Sequence, residues 1–312
     1  MEFDSQQLRA LAAIAAAGSL DGAAVALRLT PSAVSQRLRA LERAAGQVLV
    51  VRSRPVALTA AGEVLLRLAT QVALLEREAG RELAGGQAEE GRALLAVAVN
   101  ADSLATWFLP AVAPLADAIE LHVRREDETQ TSELLRRGAV LAAVTTEAAP
   151  AAGCVASALG AMRYVPVAAP AVAARWFGDG EPTPGGHARG VGARAAARAD
   201  GFRRAPVVCF DDADELQERF LRARTGAGIA GPRHLVPASA DYLRAIELGF
   251  GWGLVPELQL GDRVARGDLV ELCEQRLDVP LQWQRWSLAT ASLTRLSEAV
   301  VTAARATLRQ PS

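Results

Sequence analysis

The chain has 312 residues, 51% of them hydrophobic, and its 34 basic and 35 acidic side chains leave a formal net charge of −1. That length holds two or three domains with real cores, while no apolar run approaches a membrane span and the opening Met1-Glu2-Phe3-Asp4 lacks a basic-then-apolar signal pattern. Cys154, Cys209 and Cys273 lie far apart without CxxC spacing, which argues against a zinc site or a disulfide framework, so a cytoplasmic protein is expected. Apart from histidine every cation is arginine, and the Ala-Gly-Arg richness of the whole chain makes codon bias a better reading of this than phosphate recognition.

In chain order, Leu8, Leu11 and Ile14 with Ala15 form the apolar face of a first helix. Residues 19 to 42 then read as two short helices meeting at a tight turn. Ala23, Ala24 and Leu27 lie at helical spacing, and the alanines are small enough for another helix to approach closely. Thr30 before Pro31 suits an N-cap followed by proline at the first helical position, where its missing N–H costs nothing. Val34, Leu38 and Leu41 recur at four and three, a buried face.

The opposite face carries Ser32, Ser35, Gln36, Arg39 and Arg43, with Arg37 near its edge. Gln reads adenine edges, Arg pairs with guanine or phosphate, and Ser reaches phosphate oxygens, as a major-groove recognition helix requires. From Arg28 to Arg54 there are six arginines and one acid, Glu42, a local basic excess that marks phosphate binding. An ordinary amphipathic hairpin with a solvated arginine face is the competing reading. Val48 to Val51, then Arg52-Ser53-Arg54-Pro55 and Val56 to Thr59, read as a two-stranded wing with Arg52 and Arg54 at its tip. A winged helix-turn-helix over residues 1 to 59 is therefore expected, with Ser32, Ser35, Gln36, Arg37, Arg39, Arg52 and Arg54 facing DNA.

From Thr59 to Leu83 the apolar residues Leu65, Leu68, Val72, Leu75 and Ala79 repeat at three, four, three and four. This is a two-heptad seam, which favours pairing with a second copy over packing on its own domain, since a reading head gains from a two-fold partner on a palindromic site. The acidic, glycine-rich Gly85 to Gly91 ends this linker segment, residues 60 to 90. Beyond it, strands at Leu94 to Val99, Ile119 to Val123 and Val140 to Thr145 alternate with a helix from Ser103 to Leu115, interrupted by Pro110, and one from Thr131 to Arg137, which implies a parallel sheet. Further strands near Arg163 to Ala168 and Val207 to Phe210 follow, with helices at Ala213 to Ala223 and Ala240 to Leu248, and with segments at His234 to Val236 and Leu269 to Leu272 left unassigned. A strand around Trp286 to Thr290 and a helix from Leu293 to Leu308 finish the chain. The expected architecture is an α/β effector domain, residues 91 to 312, of two Rossmann-like lobes of the type II periplasmic-binding-protein kind. Lobe I spans about 91 to 163 and 268 to 312, and lobe II about 164 to 267, with the all-α-type winged head and long linker helix before them.

In these features the whole chain resembles the LysR-type transcriptional regulators. The marks are Ala23-Ala24, Ser32 to Ser35 and Leu38 to Glu42, the linker helix and the two-lobed domain. Several strings are similar to the LysG/ArgP branch, which controls export of basic amino acids. They are Val99 to Phe108, Gly153-Cys154, Met162-Arg163-Tyr164, Val236 to Ser239, Gly251-Trp252-Gly253 and Leu281 to Gln284. The loop from Gly178 to Arg204 departs from that pattern. The resemblance implies a sequence-specific regulator of a lysine or arginine exporter gene, with no cofactor and lysine or arginine as effector. It implies promoter DNA as partner, a homodimer through the linker helix assembling into a homotetramer, and no membrane contact. RNA polymerase stays open as a further partner.

An amino acid effector presents a carboxylate and an α-ammonium, plus a second cation if basic. Asp102 and Ser103 fall between a strand and the next helix, at the carboxyl end of the sheet, where open α/β sheets bind ligands. Ser103 and the helix N–H groups suit the carboxylate, with Thr145 adding a second hydroxyl. Asp102 suits one cation, and Glu126, Asp127 or Glu128 the other; Ser239 or Asp241 closes from the second lobe. Ser103 and Ser239 as plain caps, and residues 126 to 128 as a solvated loop, are the alternatives.

Catalysis has little support: His122, His187 and His234 show no ligand spacing and no Gly-x-Ser-x-Gly elbow occurs. Nothing lowers a thiol pKa, so Cys154 and Cys209 read as buried cysteines rather than a redox switch. A regulator with another effector, a solute-binding transport component, or an enzyme on the same lobes remain the alternatives.

Overall fold

Asp4, Ser19 and Thr30 each start a helix with a side-chain oxygen: Asp4 accepts from the N–H groups of Gln6 and Gln7, Ser19 from Gly22 and Thr30 from Ala33. In a computed structural model of the chain, which describes residues 2–51, 53, 55–83, 92–125, 128–178, 199–288 and 290–310, these helices are α1 (Ser5–Ala17), α2 (Leu20–Leu27) and α3 (Pro31–Ala45). Gly18 and Gly46 end α1 and α3 in the left-handed region, and Arg28 does the same for α2 at φ 53°. Strands β1 (Val50–Val51) and β2 (Ala57–Leu58) form the expected wing as an antiparallel pair. Its tip residues Arg52 and Arg54 lie outside the described residues.

The core of this head contains Leu8, Leu11, Ile14, Ala23, Ala24, Val34, Leu38 and Leu41, the residues whose spacing predicted it. Glu42, the lone acid of the basic stretch, accepts from the Leu49 N–H at 3.0 Å and fixes the start of the wing. Helix α4 (Ala60–Leu83) follows, capped by Thr59 Oγ1, which accepts from Gly62 N–H. Gly62 has no substitute: a Cβ there would lie 2.1 Å from the Leu49 carbonyl oxygen. The apolar seam of α4 divides. Leu65, Leu68 and Val72 pack into the core of their own head, whereas Leu75 is 44% exposed and Ala79 is exposed. Periodicity alone does not distinguish these two uses of one stripe.

The rest of the chain runs β3 (Ala93–Val99), a short helical turn (Ala101–Ser103), a π-helical turn (Leu104–Phe108), β4 (Ile119–Arg125), α5 (Glu128–Arg137) and β5 (Ala142–Thr145). Then come β6 (Cys154–Ala168), α6 (Pro170–Phe177), β7 (Val207–Cys209), α7 (Leu216–Thr225), β8 (Arg233–Leu235) and α8 (Ser239–Glu247). The last elements are β9 (Gly253–Pro256), α9 (Glu257–Leu260), β10 (Val270–Glu271), β11 (Leu277–Trp286) and α10 (Ala291–Thr307). The Gly85 to Gly91 break and most of the Gly178 to Arg204 loop lie outside the described residues.

Two compact units result. The first comprises Met1–Asn100, Pro110–Ala158 and Gln282–Ala303. In it β3 pairs in parallel with β4 and β5, as the alternating pattern predicts, and β5 pairs antiparallel with β11. Trp283 and Trp286 of β11 are buried, their indole N–H groups donating to Ser297 Oγ and to the Leu135 carbonyl. The strand expected around Trp286 to Thr290 thus lies earlier in sequence. Val279, Leu281 and Trp283 alternate along it, facing inward, and that alternation carried the better signal.

The second unit comprises Ala101–Leu109, Leu159–Leu281 and Ala304–Ser312. Here β6 pairs antiparallel with β9 and β10, and β7 pairs in parallel with β8. Trp252 sits among Phe202 and Phe220 at 5.0 and 6.2 Å between ring centroids. Gly253 lets β9 run against Tyr242, whose hydroxyl would stand 2.4 Å from a Cβ. The helix expected from Ser103 to Leu115 is not regular. Pro110 brings no N–H to the Thr106 carbonyl, and the preceding turn has widened into π geometry, with Trp107 and Phe108 buried.

Candidate nucleic-acid interface and effector site

On α3 the buried face of Val34, Leu38 and Leu41 turns Ser32, Gln36, Arg39 and Arg43 outward, all exposed, with Ser35 half-buried. Proline at N1 and the Thr30 cap fix the start of the helix that presents them. A groove of about 1060 Å³ is lined by Asp4, Gln6, Gln36, Arg37, Arg39 and Arg43, among others. Arg37 is committed within it: its Nη2 donates to Gln6 Oε1 of α1 at 2.8 Å. The arrangement offers a rigid helix with amide, hydroxyl and guanidinium groups on one exposed stripe, the donor set that base edges and phosphates accept.

The second cluster lies in the second unit. Burial pushes the Asp102 carboxyl above its ordinary range, against the opposing effect of hydrogen bonds from Tyr164 and Ser239, and the nearby charge of Asp214 adds to the rise. Tyr164 Oη donates to Asp102 Oδ2 at 2.7 Å, and Ser239 Oγ donates to Oδ1 at 2.8 Å. Gln259 Nε2 in turn donates to the Ser239 carbonyl at 3.1 Å, and its Oε1 stands 3.3 Å from Ser239 Oγ. Among the described residues no arginine or histidine pairs with Asp102. The cluster is therefore an acceptor held by neutral hydroxyls, and among the described residues it lacks the cationic partner that buried carboxylates usually have.

The other expected site residues are distributed differently. Ser103 is fully buried next to Asp102. Asp241 is exposed in the first turn of α8. Thr145, buried at the end of β5, belongs to the first unit and accepts from the Glu147 N–H at 3.2 Å. Asp127 and Glu126 lie outside the described residues. Tyr164 and Gln259 had no chemical role in the sequence reading. Tyr164 was findable, because the chain has only two tyrosines and a buried phenol needs a hydrogen-bond partner. Gln259 carried no comparable signal.

Of the two thiols read as buried, Cys209 is buried and Cys154 is half-buried. Burial raises the pKa of both Cys154 and Cys209, against the opposing influence of Arg67 on the first and Arg233 on the second. No group of three or more metal-ligating side chains occurs among the described residues, and no helix among them is long and apolar enough to cross a membrane.

Comparison with known proteins identifies the families of both parts of the chain. The profile of the bacterial regulatory helix-turn-helix proteins of the lysR family matches residues 5–63, and that of the LysR substrate binding domain matches residues 88–310. The lysine export transcriptional regulatory protein LysG of Corynebacterium efficiens is 46% identical over 295 residues, 94% of each chain. The crystal structure of ArgP from Mycobacterium tuberculosis superposes with a TM-score of 0.85 at 42% identity, covering 99% of this chain and 100% of that one. Full-length LysG from Corynebacterium glutamicum with bound effector arginine gives a TM-score of 0.76 at 39% identity, covering 98% and 100%. The chain belongs to the LysR family of bacterial transcriptional regulators.

Proposed function

We propose that this regulator binds promoter DNA through α3 and the wing and answers to a basic amino acid, lysine or arginine, by which it controls an exporter gene for that amino acid. The observation that carries the effector class is Asp102, a buried carboxylate in a shell of hydroxyls with no cation paired to it among the described residues. An ammonium or guanidinium is the group that completes such a shell. The relatives named for lysine export and the arginine in the Corynebacterium glutamicum structure support the same class. We assign Asp102 and Ser239 to the effector with Tyr164 beside them, and keep Ser103, Asp127, Thr145 and Asp241 as further candidates for its carboxylate or second cation. Ser32, Ser35, Gln36, Arg39, Arg52 and Arg54 face DNA in this reading, and Arg37 acts from its bond with Gln6.

The exposed half of the α4 seam, Leu75 and Ala79, is the part left for a second copy, and a homodimer there is the unit we propose, with pairing of dimers into a tetramer. Such a protein is not an enzyme, works in the cytoplasm beside the chromosome, and has RNA polymerase as a natural further partner. Titrating the full chain with lysine, arginine and neutral amino acids tests the effector class. Binding of neutral amino acids alone would refute it. Affinity for duplex DNA should fall steeply with salt, and salt-insensitive binding refutes the DNA reading.

A further inference from the structure

One surface bond in the reading head joins two helices. Arg37 leaves α3 beside Leu38, one turn from Val34 and from Leu41. It therefore stands on the flank of the buried face, not on the exposed stripe of Ser32, Gln36, Arg39 and Arg43. Its Nη2 crosses to α1 and donates to Gln6 Oε1 at 2.8 Å. Gln6 is itself fixed in the first turn of α1, where its N–H donates to Asp4 Oδ1 at 2.9 Å. A guanidinium only donates, so the oxygen of the Gln6 amide faces Arg37 and its NH2 group turns away. Among the described residues nothing accepts from Gln6 Nε2, nor from Arg37 Nε or Nη1.

Both side chains line the groove of about 1060 Å³, which brings together three guanidinium groups and two carboxylates. The carboxylates are already in use: Asp4 accepts from the Gln6 and Gln7 N–H groups, and Glu42 from the Leu49 N–H. Arg39 and Arg43 are exposed and have no acid partner among the described residues. Arg9 of α1, in contrast, is paired to Glu76. Base edges are read from the centre of a recognition helix. A side chain tied on the flank, against the first helix, is placed for the DNA backbone, which that helix crosses. Adjacent N–H donors from two helices match the two free oxygens of a phosphate diester. We propose that Gln6 and Arg37 form a two-helix clamp on one DNA phosphate, in which Gln6 both holds Arg37 and donates its own amide. Gln6 lies outside the helix-turn-helix hairpin, so the pattern of a recognition helix does not include it. The clamp rests on the DNA reading above.

The full chain is measured by fluorescence anisotropy on two duplexes. One is enriched by the parent protein from a random pool; the other has an unrelated sequence and is used at lower salt. Gln6→Ala, Arg37→Ala and their combination make a double-mutant cycle. Gln6→Ala should weaken binding about fivefold, by the same factor on both duplexes, because each offers a phosphate. In the Arg37→Ala background the same change should cost less than about twofold, since an untied glutamine no longer faces the phosphate. Arg37→Ala should lower the magnitude of the log–log salt slope by about one. Gln6→Glu keeps the tie between the helices but neutralises Arg37, so it should lower the slope by about one with Arg37 still present. A loosened head does not produce that signature. Additive single effects, a loss confined to the enriched duplex, or a Gln6→Glu slope equal to the parent's overturns the clamp. A parent whose binding ignores salt on both duplexes refutes the DNA reading itself, and the clamp with it.

Discussion

Replacing Asp102 by Asn separates the two roles of that carboxylate. Asn keeps the shape and one carbonyl acceptor for the hydroxyls of Tyr164 and Ser239, now 2.7 and 2.8 Å from the carboxylate oxygens. What it removes is the charge. Truncating one partner of a buried, hydrogen-bonded charge pair costs about 2–5 kcal/mol, which is roughly 30- to 5000-fold in Kd for a cationic effector. Stability should move the other way. Burial raises the Asp102 pKa, so the folded chain releases that proton at higher pH than the unfolded chain does. The associated stability is complete below the ordinary carboxyl range and is lost as pH rises through the raised value. Asp102→Asn has no such loss, so its stability relative to the parent should grow with pH across that window. Calorimetric titration with lysine and arginine, and denaturant unfolding at several pH values, read both effects. Effector binding within about threefold of the parent, under about 0.7 kcal/mol, would refute the assignment of Asp102 to the cation.

Arg39→Ala should weaken DNA binding and lower the magnitude of the log–log salt slope by about one if Arg39 meets a phosphate; unchanged affinity at low salt refutes its place on DNA. Tyr242→Phe strips a buried hydroxyl that accepts from Gln217 Nε2 and Leu254 N–H and donates to the Leu254 carbonyl. At about 1–3 kcal/mol for each buried polar group left unsatisfied, and with incomplete additivity, unfolding should become easier by about 3 kcal/mol, and a change under about 1 kcal/mol contradicts the network. Arg28 holds a left-handed conformation at φ 53° that costs a side chain about 1–2 kcal/mol. Arg28→Gly should therefore stabilise the head by about 0.5 kcal/mol after the greater freedom of unfolded glycine is counted, and a loss of stability in denaturant melts refutes that strain.

The head was legible because its signals are local. Thr30-Pro31, the spacing of Val34, Leu38 and Leu41, and the arginines among them specify a capped helix with one buried and one basic face, whatever it packs against. The order of strands and helices from β3 to β5 was legible for the same reason, since periodicity and chain order fix a parallel βαβ unit. Pro110 marked where the helix from Ser103 is interrupted but not the π turn before it, and the strand ending at Trp286 was misread because its inward alternation begins earlier in sequence than the segment expected to pair. Tertiary structure alone decided the rest. Asp102, Tyr164, Ser239 and Gln259 are spread over some 150 residues of sequence, and only folding turns an aspartate between a strand and a helix into a buried acceptor. One stripe on α4 serves the head's own core in its first half and lies open in its second, a division made by what stands opposite each turn. Sequence spacing determines which side chains share a face; the energy of burial, and the partner that face meets, exist only in the folded chain.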